Sequence, residues 1–189
     1  MEDQSITIHS VKDDWDRKLI IFEVPLPNQA PVFMSVEITP YNNEERGVVI
    51  VDADKFLELW RNEPHSAHHK ISHGNPQTWP NDNKYPYAAK GFSFGYNNPV
   101  PLARVSCRIG MRSIITYKFL FFGRTERKEQ FHYVAFTDGI TRTIWLLTQG
   151  CKAFPVECYM PEAKELYRVA AAHRTNFYTV DELYQKLKR

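Results

Sequence analysis

Cysteine is scarce in this sequence: only Cys107, Cys151 and Cys158 carry thiols among 189 residues. They are odd in number, fall late and lack Cys-x-x-Cys spacing, so neither a disulfide framework nor a zinc site follows, and buried free thiols are expected. No apolar run approaches the roughly 20 residues that span a bilayer, and no basic, apolar, small-residue leader opens the chain. Membrane insertion is therefore not expected, and the cytoplasm is the expected location. Internal repeats and low-complexity tracts are also missing. The length suits one cooperative domain, residues 1–189, and is short for two.

Aromatic residues are plentiful at 14%, and 12 prolines punctuate the chain, a composition of many short elements and sharp turns rather than of disorder. The net charge of +2 is unevenly spread. Residues 1–63 hold 13 acidic and 6 basic side chains, a net −7, whereas residues 64–189 hold 9 and 18, a net +9. An anionic ligand is expected on the second part.

Segments 18–25 and 31–38 are rich in β-branched and apolar residues around Pro25-Leu26-Pro27-Asn28-Gln29, which reads as a hairpin. Residues 48–51 suit a buried strand, and Asp52 or Asp54 can cap a helix over 55–61. Between 63 and 96 the pattern dissolves into Pro, Asn, Gly, His and isolated aromatics, which predicts a long loop, either a functional flap or a solvated segment. Its His65, His68, His69 and His73 have no acidic or cysteine partner beside them, as a metal site would need. A strand over 100–105 follows, then strands 113–122 and 131–136 joined by a charged turn, 123–129. A helix over 141–149 stopped by Gly150, a strand over 154–159 and helices over 161–174 and 180–188 complete the chain, with Thr179 and Glu182 at capping-box spacing.

Chemistry concentrates in Asp138-Gly139-Ile140-Thr141-Arg142-Thr143, where a strand ends, a glycine permits a tight turn and a helix begins. The unpaired N–H groups of a helix start form an anion site to which Thr141, Thr143 and Arg142 can add donors. Alternatively Asp138 caps the helix and Arg142 pairs with a carboxylate. Seven basic residues between 100 and 130 face only Glu126 and Glu129 and are interleaved with aromatics, which suits a nucleic-acid backbone. The bland alternative, a solvated hairpin tip, holds for 124–129.

The ordered set from His132 through the Gly139-Ile140-Thr141-Arg142 turn, Gly150 and Phe154-Pro155-Val156, with the upstream Val100-Pro101-Leu102-Ala103-Arg104-Val105, resembles the ParB/sulfiredoxin superfamily over residues 100–159. The resemblance implies an α+β fold: a mixed sheet with short helices as a core over 100–160, an N-terminal β-hairpin elaboration (1–63), a long loop (64–99) and C-terminal helices (161–189). It also implies phosphate binding by Gly139, Thr141, Arg142 and Thr143, with Arg104 and Arg108 beside the turn. Ile140 stands where the reductase branch has its reactive cysteine, and a hydrocarbon cannot form a sulfur-linked intermediate. The Glu and the helix-turn-helix module of the partitioning branch are missing as well.

With its length, the N-terminal hairpin and the stretch Asn97-Asn98-Pro99-Val100-Pro101-Leu102-Ala103, the chain as a whole also resembles the plasmid fertility inhibition factors, proteins that block export of plasmid DNA or T-DNA through type IV secretion machinery. What this implies is a DNase with ATPase activity, using ATP and a divalent metal, Mg²⁺ by expectation. Its partners would be DNA and the secretion coupling protein or the relaxase-DNA complex, at the inner face of the membrane. Asp138, Arg142 and His132 are the catalytic candidates, with Asp138 as metal ligand or base. The alternatives are a non-catalytic inhibitor docking on the coupling protein through 79–96, or a nucleotide-binding regulator of the partitioning type.

Overall fold

The computed structural model describes residues 6–14, 16–118, 123–173 and 175–188. Strands β1 (Thr7–Asp14), β2 (Arg17–Leu26) and β3 (Gln29–Ile38) form an antiparallel meander, of which β2 and β3 are the expected hairpin. Pro27 and Asn28 make its turn; proline presets the first position and Asn28 supplies φ +60° at the second. Strand β4 (Arg46–Asp52) runs into helix α1 (Ala53–Arg61), and of the two candidate caps it is Asp52 that accepts from the Lys55 N–H, at 3.0 Å.

The expected long loop is corrected by the structure. It contains α2 (His69–Ser72), a 3-10 turn (Trp79–Asn81), α3 (Tyr85–Ser93) and a second 3-10 turn (Gly95–Asn97). These pieces are short or carry Pro and Gly within them, as α3 does at Pro86 and Gly91, so no apolar period stands out and order comes from anchoring. Trp79 is buried and its indole donates to the Ile71 carbonyl at 2.7 Å, while Phe92 stacks on Trp145 with ring centres 4.2 Å apart.

The expected strand over 100–105 divides at Leu102. β5 (Val100–Pro101) joins β3 in parallel, whereas β6 (Ala103–Lys118) pairs with β7 (Gly123–Asp138) and briefly with β8 (Ala153–Tyr159). The Leu102 N–H donates to the Ser35 carbonyl at 2.8 Å, so the chain changes sheets there without losing its backbone bond. The charged segment 123–129 is strand, paired residue for residue with β6, and not a turn; residues 119–122 of the expected strand lie outside the described residues. Helix α4 (Ile140–Thr148) precedes β8, and α5 (Glu162–Ala170), β9 (Tyr178–Thr179) and α6 (Val180–Leu187) close the chain. The predicted helix over 161–174 thus stops early, because the chain turns at Ala171 to meet Val51 in a β-bridge.

The fold is α+β, with two mixed sheets: β1-β2-β3-β5 and β7-β6-β8-β4-β9. Side chains from both sheets join one apolar cluster. Phe56 stands edge-on to Phe136 and Phe154 at 5.8 and 5.4 Å, and Trp60 edge-on to Phe136 at 4.8 Å. Helix α1 is thereby pinned across β7 and β8.

Candidate functional site

At the end of β7 the chain enters α4 through Gly139, which has φ +100°. A Cβ there would lie 2.7 Å from both Cα and Cβ of Ala103, so the glycine is demanded by the approach of β6 as well as by the turn. Asp138 does not cap α4; Gly139 occupies that position and the helix start has no side-chain cap. The N–H groups of Ile140, Thr141 and Arg142 therefore lack intrahelical acceptors and carry the positive end of the helix. Thr143 does not join them. It is fully buried, and its hydroxyl donates to the Gly139 carbonyl at 3.0 Å.

Arg142 is committed to the fold. It donates to the carbonyls of Pro101 (2.7 Å) and Leu102 (3.0 Å) and to Asp138 Oδ2 (2.8 Å), so it ties the sheet-switching segment to the start of α4. Arg104, 58% exposed, reaches the same Asp138 oxygen only at 3.9 Å. Asp138 thus sits between two guanidinium groups. Among the described residues no group of three or more His, Cys, Asp or Glu side chains is placed to hold a metal ion, so a divalent cation here would take Asp138 with oxygens of a bound phosphate.

The remaining candidates lie elsewhere. His132 is six residues up β7 from Asp138, roughly 20 Å along the strand. Its Nε2 lies 2.6 Å from Glu165 and 3.2 Å from Arg168, both on α5. Hydrogen bonding from Arg168, then from His132, holds the Glu165 carboxyl down at about 2. Arg108 is exposed and stands 3.9 Å from Glu162 of α5. The structure brings Asp138, Gly139, Thr141, Arg142 and Arg104 together, and leaves His132 and Arg108 outside the group. Burial pushes the Cys107 and Cys158 thiols up to about 12 and Cys151 to about 11, which keeps them protonated and poor nucleophiles.

Three depressions meet at Arg142. One of about 500 Å³ lies between the two sheets and is lined by Tyr41, Arg46, Arg104, Asp138, Glu157 and Tyr159, among others. A second, of about 540 Å³, lies across the helix start against His68, Asp82, Lys84 and Thr141. A third, of about 390 Å³, adds Tyr87. These volumes are in the range of small-ligand sites. Lys84, Tyr41 and Arg46 carried no local signal in the sequence, because their nearness to Arg142 depends on how the segment 64–97 and the first sheet fold over α4. The floor is firm: Arg46 and Glu157 are both buried, with Nε and Oε1 2.6 Å apart, and Arg46 also donates to the Glu37 carbonyl of β3 at 2.9 Å.

The sequence model of the plasmid fertility inhibition factor family matches residues 48–171, a span that runs from β4 through α5 and contains the start of α4. A Shigella flexneri protein named Protein osa is 30% identical over 148 residues, covering 77% of this chain and 64% of that protein. The match therefore spans less than two thirds of that relative's length. The crystal structure of the oncogenic suppression activity protein, described as a plasmid fertility inhibition factor and solved as a gold(I) cyanide derivative, is similar with a TM-score of 0.68. Identity to it is 25%, over 95% of this chain and 82% of that one.

Proposed function

This chain belongs to the plasmid fertility inhibition factors, and from that premise we propose that it blocks DNA transfer through a type IV secretion system by gripping phosphate in the cleft at the start of α4. The phosphate belongs to ATP or to the DNA in transit, and the expected chemistry is phosphodiester and ATP hydrolysis. The observation that carries this reading is the convergence of three depressions on one helix start, with Arg104 exposed on one side and Lys84 on the other. Three free N–H groups, the Thr141 hydroxyl and two mobile-length cationic side chains form a donor set suited to a phosphate. Arg142 positions this set by holding the helix start to Pro101 and Leu102. A role for Asp138 as base requires its carboxylate to exchange Arg142 for the attacking water.

The test is incubation of the purified chain with plasmid DNA, ATP and Mg²⁺, followed by phosphate release and gel analysis. Arg104→Ala combined with Lys84→Ala is expected to lower both activities at least about tenfold, the loss of one charge-assisted contact or more. Wild-type protein at the same background as this variant would remove the catalytic part of the proposal.

A second reading, docking on the secretion coupling protein, is favoured by Tyr87 and Phe94, which are 75% and 48% exposed on the segment 85–97. It expects transfer inhibition in matings to survive Arg104→Ala with Lys84→Ala and to be lost with Tyr87→Ser and Phe94→Ser. The opposite pattern supports the phosphate cleft.

A further inference from the structure

The β6–β7 pair extends well beyond the sheet that holds it. β8 pairs with β6 only at Ala103, Arg104 and Val105, so from Ser106 onward the two strands form a ribbon. The pairing register sorts its side chains into two faces, because directly opposed residues share a face. One face presents the pairs Arg108–Tyr133, Gly110–Phe131, Arg112–Glu129 and Ile114–Arg127. The other presents Ile109–His132, Met111–Gln130, Ser113–Lys128 and Ile115–Glu126.

The first face has the composition of a stacking surface. The Phe131 ring lies across Gly110 so closely that a Cβ on Gly110 would meet its Cζ at 2.6 Å. Only a glycine leaves room for the ring to lie down on the strand. Tyr133 follows with its ring centre 6.0 Å from that of Phe131. The Arg112 guanidinium stands 5.4 Å from the Phe131 centre, and Arg108 and Arg112 remain 59% and 53% exposed. Arg108 and Arg112 thus flank the two rings, each also within reach of a carboxylate, Glu162 at 3.9 Å and Glu129 at 3.3 Å, and Arg127 follows further along the same face.

We propose that this face of the β6–β7 ribbon binds single-stranded DNA, with bases stacking on Phe131 and Tyr133 and phosphates held by Arg108, Arg112 and Arg127. Aromatic rings set among cations suit a polymer that offers both π-faces and phosphates. A duplex hides its base faces, so a ribbon contacting it has no use for rings laid flat on the strand; a single strand exposes them. The four pairs of the opposite face include Lys128 as well, but they set exposed Ile109, Met111 and Ile115 where the first face has its phenyl and phenol rings. The inference rests on the preceding reading for the identity of the polymer, DNA in transit, but not on the cleft at α4, whose residues it does not use.

Fluorescence anisotropy of the full chain with a labelled oligothymidylate of about 20 nucleotides, and with a duplex of equal length, tests it. The single strand is expected to bind at least about tenfold tighter than the duplex. Phe131→Leu and Tyr133→Leu, which keep apolar bulk, should each weaken it about tenfold with circular dichroism unchanged. Arg112→Ala should reduce the log-log salt slope by about 0.7. Duplex binding as tight as the single strand, or leucine variants that bind like wild type, would overturn the platform. ATP binding separates the two proposals. A wild-type chain that binds ATP but no oligonucleotide sinks the ribbon alone, whereas unaltered ATP affinity in Arg104→Ala with Lys84→Ala sinks the cleft alone.

Discussion

Gly139 answers to two demands that need no ligand: a backbone angle of φ +100° and the 2.7 Å approach of Ala103. Gly139→Ala should therefore lower stability by more than about 2 kcal/mol in urea unfolding, because the new methyl meets backbone rather than a movable side chain. A variant as stable as wild type would mean that β6 can retreat. Glu165 makes a pH-dependent contribution of known sign. Its carboxyl is lowered from 4.5 to about 2 in the folded chain, so its stabilisation is fully present above pH 4.5 and is lost as pH falls through about 2. The difference in melting temperature between wild type and Glu165→Gln should be clear at neutral pH and close up toward pH 2; a difference that persists there would show that packing, not charge, is responsible. The same contacts tie His132 to α5.

At the scale of elements, α6 begins with a complete capping box: the Glu182 N–H donates to Thr179 Oγ1 at 3.1 Å and the Thr179 N–H to Glu182 Oε2 at 2.8 Å. Thr179→Ala should cost about 1 kcal/mol, read as a lower urea midpoint with unchanged slope. This device was legible in the sequence because it spans only four residues. So were the β2–β3 hairpin and the strand-glycine-helix order around Gly139. The helices within 64–97 were not, since α2 has four residues and α3 nine, and their stability comes from Trp79 and Phe92 reaching distant partners. The β6–β7 ribbon was misread for a related reason. Its charged segment looked like a turn in isolation, but a two-stranded ribbon exposed on both faces tolerates charge at every position, so polarity stops reporting strand ends.

Across the whole molecule, the two sheets are clasped by Arg46. Its guanidinium meets Glu157 in the second sheet and the Glu37 carbonyl in the first, and the cleft opens directly above it. Arg46→Ala leaves Glu157 buried without its partner and should destabilise the chain by about 3–5 kcal/mol, whereas Arg46→Met with Glu157→Leu should recover most of the loss. Chemical denaturation of the three proteins checks this, and a double variant no more stable than Arg46→Ala would show that the loss does not come from the unpaired Glu157. The sequence by itself determined what depends on short range: the α+β character, the buried thiols, the cap at Thr179, and a helix start after Gly139. The tertiary structure alone decided that Arg142 holds carbonyls 40 and 41 residues away, that His132 stands apart, and that Lys84 and Tyr41 flank the cleft. Those outcomes follow from sheet order and from the crossing at Leu102, and neither leaves a period or a spacing in the chain to be read.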